Sequence, residues 1–142
     1  MQHFLFDTSV YIAAIRKQDS SALSLRNLGP ESPVWLSAVV LEELYAGVSS
    51  RKAHVIRQFQ RNFEKVRRVL VPNLTDWSEA GTVLSRLAEK YGYDHIGRAR
   101  LTNDALIAIN AGRLGMEVIT ANERDFRRLA EFRSFQYSVI KV

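Results

Sequence analysis

The 142-residue chain has no cysteine, which removes disulfides and thiolate metal sites from consideration. Histidine is scarce as well. His3, His54 and His95 show no His-x-x-x-His spacing, so a zinc enzyme is not expected. Long apolar runs are missing, and stretches such as Val10–Ile15 are far too short to span a bilayer. The opening MQHFLFDTS lacks the basic flank and cleavage pattern of a secretory leader, and Asp7 interrupts it. A cytoplasmic location with no membrane attachment is therefore expected. No repeat, low-complexity segment or linker divides the chain, so residues 1–142 read as one domain with a core of its own.

Hydrophobic residues make up 46% of the chain and charged residues 25%, the balance of an ordinary globular domain rather than a disordered one. The net charge is +5 and the pI near 9.8, which suits a protein that meets a polyanion. Nucleic acid is the first such partner to consider and an acidic protein the second.

Short apolar runs alternate with helical patterns. HFLF ends in Asp-Thr-Ser, which reads as a strand, a tight turn, and a helix from about Ser9 to Arg16. A short helix is expected over Ser20–Leu28, stopped by Gly29-Pro30. Val34–Leu36 reads as a strand, and Ser37 caps a helix that runs to about Gly47. About Arg51–Val66 is a helix with Val55, Ile56, Phe59, Phe63 and Val66 at helical spacing, and Arg57, Arg61 and Arg68 elsewhere on its surface. Val69–Val71 is a strand ended by Pro72. A helix from about Thr75 to Lys90 follows, facing Trp77, Ala80, Leu84, Leu87 and Ala88 inward. Tyr91–Leu101 reads as a loop, Asn103–Leu114 as a buried helix closed by Gly115, and Glu117–Thr120 as a strand. Arg124–Ala130 is a short helix and Tyr137–Ile140 a last strand. The alternation predicts an α/β sandwich around a mostly parallel sheet. Ligands of such sheets bind beyond the carboxyl ends of the strands, where Asp7 and Thr120–Asp125 fall.

Four acids sit at the ends of apolar segments: Asp7 in HFLFDTS, Glu43 in VVLEELYAG, Asp104 in NDALIAINAG and Asp125 in VITANERDF. Each has a structural alternative as a cap, a dipole partner or a solvated side chain. For Glu43, periodicity does not separate it from the neighbouring Glu42. Two carboxylates about 4 Å apart repel by roughly 4 kcal/mol at an effective dielectric near 20. A gathering of such acids would bind protons at neutral pH unless a cation neutralised it. An all-oxygen donor set favours Mg²⁺ or Mn²⁺.

FLFDTSVYI, SAVVLEELYAG, NDALIAINAGRLG and VITANERDF, in that order, resemble the PIN-domain nucleases, and within them the VapC-type toxins of bacterial and archaeal toxin–antitoxin pairs. The resemblance covers essentially the whole chain. It implies a three-layer α/β/α fold and a Mg²⁺- or Mn²⁺-dependent endoribonuclease whose products bear a 5′-phosphate and a 3′-hydroxyl. It also implies a cognate antitoxin and a homodimer. Carried over by position, it places the catalytic and metal-ligating acids at Asp7, Glu43, Asp104 and Asp125. The fourth motif departs from the pattern, since some members carry the acid where this chain has Asn122.

Thr8 and Ser9 stand beside Asp7, Asn103 beside Asp104, and Thr120 and Asn122 in the fourth motif, as supports for the acids or for a metal-bound water. His95, Arg98 and Arg100 precede Asp104 and are candidates to bind RNA phosphates. Arg57, Arg61 and Arg68 read first as a solvated helix face, and Arg124, Arg127 and Arg128 as an extension of an RNA track or as ion-pair partners. Tyr11, Tyr45 and Tyr91 read as core before they read as base-stacking residues. Two rivals follow. One is a catalytically silent RNA-binding or scaffold protein on the same fold. The other is a phosphotransfer receiver domain, disfavoured because the first strand ends in a single acid and Thr120 is followed by Ala-Asn.

Overall fold

The computed structural model describes residues 1–17, 33–92 and 100–141. Phe4–Phe6 forms β1 at the centre of the sheet, and Thr8–Lys17 forms α1. Val34–Ser37 is β2, pairing in parallel with β1, and Ala38–Gly47 is α2. Ser37 Oγ accepts the Val39 N–H at 3.1 Å, the expected N-cap. A 3₁₀ turn at Ser50–Lys52 leads into α3, Ala53–Lys65. Val69–Leu70 is β3, at one sheet edge, and Leu74–Tyr91 is α4. Arg100–Arg113 forms α5, Glu117–Thr120 β4, Glu123–Ala130 α6 and Gln136–Val139 β5.

The five strands run in the order β3-β2-β1-β4-β5 and every pairing is parallel. Helices flank the sheet, giving the α/β/α layering. The chain leaves β1 in one direction for β2 and β3, then returns to lay β4 on the other side of β1. The order therefore reverses between β1 and β4, and beyond the carboxyl ends of strands at such a switch point lies the crevice in which open sheets of this kind bind ligands. Phe6 is in register with Ile119, so the residues that follow, Asp7 and Thr120, meet at that crevice.

The core is built from the two sheet faces and the helices upon them. Leu5, Leu36 and Val118 are fully buried in the central strands. Ile56, Phe59 and Phe63 lie along the inward face of α3, where Phe59 meets Tyr11 edge to face at 4.9 Å between ring centroids. Val55 and Val66, placed with them by spacing, are instead exposed at 39% and 57%. Trp77 is likewise outside, at 55% exposure, because Asp76 takes the inward place on that turn of α4.

The stretch expected as a loop is partly helical. α4 continues to Tyr91, and α5 begins at Arg100, with Leu101 already buried. The two glycines of that stretch made its helical ends look like loop. His95 and Arg98 lie outside the described residues, as does the helix expected over Ser20–Leu28. No described helix is long and apolar enough to cross a membrane.

Candidate active site

Asp7 is the first residue after β1, and its side chain is 2% exposed. Its N–H donates to Ile119 O at 2.9 Å, extending the β1–β4 ladder one step into the crevice. The carboxylate is an acceptor on every side. Ser9 N–H donates to Oδ1 at 2.8 Å, and Ser9 Oγ donates to the same oxygen. Thr120 Oγ1 donates to Oδ2 at 2.6 Å.

The turn after β4 fixes which way these hydroxyls point. Ser9 Oγ accepts Ala121 N–H at 3.0 Å, and Thr120 Oγ1 accepts Asn122 N–H at 2.9 Å. With a lone pair of each hydroxyl occupied, both protons are directed at Asp7. Every one of these donors is neutral. Burial pushes the Asp7 carboxyl above its usual range, and the bonds from Ser9, Thr120 and the backbone offset only part of that.

Glu43 is half-buried on α2, whereas Glu42 is exposed. Thr8 Oγ1 donates to Glu43 Oε1 at 2.7 Å, which ties α1 to α2 one residue away from Asp7. The structure thus separates the two glutamates that periodicity left equivalent. Asp104 is 8% exposed in the second turn of α5. It lies well inside a helix that starts at Arg100, so a terminal dipole role does not account for it. α5 packs against α2 and β4, the elements that carry Glu43 and Thr120. Asn103 beside it is half-buried.

Asp125 is engaged differently. Asn122 is the N-cap of α6; its Nδ2 donates to Asp125 Oδ2 at 2.9 Å, and Asp125 N–H returns a bond to Asn122 Oδ1 at 3.4 Å. Asn122 thus caps α6 and also holds the Asp125 carboxylate through its side-chain amide. The hydrogen bonds therefore join Asp7, Ser9, Thr120 and Asn122 in one network, extend from Asn122 to Asp125, and hold Glu43 to the adjacent Thr8.

The donor set is all oxygen, and Asp7 is a buried carboxylate surrounded by neutral donors; both fit a hard divalent cation in kind. Among the described residues, no three acidic or histidine side chains stand close enough together to share one ion in this arrangement.

Tyr11, Tyr45 and Tyr91 are each engaged within the fold. Tyr11 is buried at 3% exposure and burial pushes its phenol well up. Tyr45 Oη donates to Gln60 Oε1 at 2.8 Å, bracing α2 on α3. Tyr91 Oη donates to Glu131, and the Arg128 guanidinium lies over the Tyr91 ring at 4.2 Å from its centroid. Arg124 and Arg127 are exposed.

The sequence reading made nothing of Asp76, a 1%-exposed acid on α4. It completes a capping box with Asn73 and takes bonds from Arg113 Nε at 2.9 Å and Nη2 at 3.1 Å, and from Asn110 Nδ2 at 3.3 Å. The pattern Asn73-x-x-Asp76 before an apolar helix was the available signal.

A five-stranded parallel α/β/α sheet with a buried acid at its switch point defines a class of site that works on a ligand held beyond the strand ends. The profile of the PIN domain family matches residues 4–132, and the chain belongs to that family. Among solved structures, the chain is similar to DNA-bound VapBC from Salmonella typhimurium, with a TM-score of 0.72, 26% identity and 98% of each chain covered. It is also similar to VapBC-5 from Mycobacterium tuberculosis, with a TM-score of 0.56, 25% identity and 100% of each chain covered. VapBC2 from Rickettsia felis bound to promoter DNA shares the fold, with a TM-score of 0.68, 23% identity and coverage of 99% of this chain and 100% of that one. Comparison with curated protein sequences finds no match.

Proposed function

We propose that the protein is a VapC-like toxin, a Mg²⁺- or Mn²⁺-dependent endoribonuclease held in check by a cognate antitoxin and acting as a homodimer. The observation that carries this reading is Asp7, buried at the β1–β4 switch point with two hydroxyls aimed at its carboxylate, in a chain of the PIN family. The similar structures are toxin–antitoxin complexes by name, which supports the antitoxin partner.

Asp7, Glu43 and Asp104 would hold the cation, with Asp125 at the lip through its cap with Asn122. When bound, such an ion supplies charge neutralisation for the phosphodiester and a more acidic water. The chain's own residues do the rest. Ser9 and Thr120 lock the Asp7 carboxylate in one orientation, and Thr8 does the same for Glu43. Thr120 and Asn122 couple the β4–α6 turn to Asp7, so that the lip and the floor of the crevice are set together. Arg100, with His95 and Arg98 before it, would meet phosphates flanking the scissile bond.

The test is incubation with structured and unstructured RNA in Mn²⁺, Mg²⁺ or chelator, with the product ends mapped. Cleavage that needs the metal, leaves 5′-phosphates and is lost in Asp7→Asn supports the reading; cleavage equal in chelator or in Asp7→Asn overturns it. A catalytically silent RNA-binding protein on this fold is the second reading. Asn122, at a position where some family members carry an acid, leaves room for it. Saturable RNA binding with no cleavage under any metal would select it.

A further inference from the structure

The positive charge of this chain is not spread over it. Between Arg51 and Arg68 stand Arg51, Lys52, Arg57, Arg61, Lys65, Arg67 and Arg68 against the single acid Glu64, a local charge of +6 where the whole chain has +5. All other positions together carry thirteen basic and fourteen acidic side chains, close to neutral.

The fold displays these groups on one surface. Ile56, Phe59 and Phe63 turn α3 inward, which leaves Arg57, Arg61 and Lys65 in a row on the exposed side. Successive members are four residues apart, or about 6 Å along the helix axis. Arg51, Lys52 and Arg67 are exposed at its two ends. Among the described residues none of the seven cations pairs with a carboxylate; the ion pairs found there use Lys90, Arg113 and Arg133 instead. A row of like charge with no ion pair among the described residues is self-repulsive, and an anion laid along it relieves that repulsion.

We propose that the outer face of α3 is a docking surface for the phosphate backbone of single-stranded RNA, separate from the acids that would cut it. The proposal deepens the nuclease reading and rests on it for the kind of polyanion. Placement favours the substrate as occupant. α3 is braced on α2 by the Tyr45–Gln60 bond and on α1 by the Tyr11–Phe59 contact. Those two helices carry Glu43 and the Asp7–Ser9 turn, so a strand bound along α3 is held by the unit that frames the crevice. Phosphate contacts of this kind carry no sequence information and set affinity and its salt dependence.

The test measures binding of a non-cleavable 2′-O-methyl oligoribonucleotide by fluorescence anisotropy over a salt series. The wild type is compared with a triple variant carrying Arg57→Gln, Arg61→Gln and Lys65→Gln. Three lost phosphate contacts should lower the slope of log K against log salt by about 2. Affinity should fall alike for unrelated sequences, while the lysine-for-arginine variant R57K/R61K retains the slope. An unchanged slope in a triple variant with the wild-type melting temperature overturns the proposal. So does loss of binding to poly-glutamate or duplex DNA with RNA binding intact, which would make the face a protein or DNA surface. If the wild type binds RNA through this row and never cleaves it, the docking surface stands and the nuclease reading falls.

Discussion

Asp7 and Asp76 are equally buried acids with opposite surroundings. Asp76 sits in the seam between α4 and α5 and receives a two-pronged guanidinium from Arg113, an amide from Asn110 and a helix cap from Asn73. Its charge is answered by a fixed cation of the chain. Among the described residues Asp7 receives hydroxyls and backbone amides alone, and burial outweighs them in its proton affinity. Burial of a carboxylate therefore does not by itself mark a site. What distinguishes the two is whether a cation of the chain stands against the carboxylate.

The strongest way to break this comparison is to neutralise Asp7. In Asp7→Asn, RNA cleavage should fall by roughly a hundredfold or more, about 3 kcal/mol of transition-state stabilisation. Stability should move the other way. The folded-state pKa of Asp7 is raised, so its contribution to stability is full below the unfolded value of 3.8 and is lost as pH rises through the folded one. In chelator, wild type should therefore lose stability relative to Asp7→Asn from about pH 4 upward, and the two melting curves should converge in acid. Parallel curves across that range would show that burial does not raise the proton affinity of Asp7.

The same change at Asp76 should do the reverse. Asp76→Ala removes the carboxylate half of the capping box, leaves the Asn110 amide without its acceptor and frees Arg113, costing about 3 kcal/mol and lowering Tm by roughly 10 °C. Cleavage per folded molecule should be unchanged. A smaller effect belongs to Thr8→Val, which keeps the side-chain shape and removes the donor to Glu43. Activity should fall about tenfold, as for a residue that orients a ligand, with stability within about 1 kcal/mol of wild type. Activity at the wild-type level would separate Glu43 from the site.

Much of this was legible in the sequence because the signals were local. HFLF before Asp-Thr-Ser set β1 and its turn, Ser37 set the start of α2, and Glu117–Thr120 appears as a strand with the bounds expected. Asp7 and Thr120 could be placed at strand ends, yet the hydroxyl network between them spans 113 positions of sequence and no periodicity contains it. The choice of Glu43 over Glu42 likewise needed Thr8, thirty-five residues away. Spacing also ranked residues by apolarity alone. It therefore turned Val55, Val66 and Trp77 inward and left Asp76 unremarked, because a buried acid is intelligible only once its guanidinium from another helix is known.

Trp77 gives the smallest and most exact check on that last point. Ala80, Val83, Leu84 and Leu87 trace the buried stripe of α4, and one turn earlier the stripe falls on Asp76, not on its neighbour. Trp77 is therefore rotated by about 100° away from the seam. More than half of its surface stays in water, so Trp77→Ala should cost about 1 kcal/mol or less, despite the size of the side chain removed. A loss near the 3 kcal/mol or more usual for a core tryptophan would mean that the ring, not the carboxylate, holds the seam. It would then reverse the assignment of Asp76 as the structural acid against which Asp7 was compared.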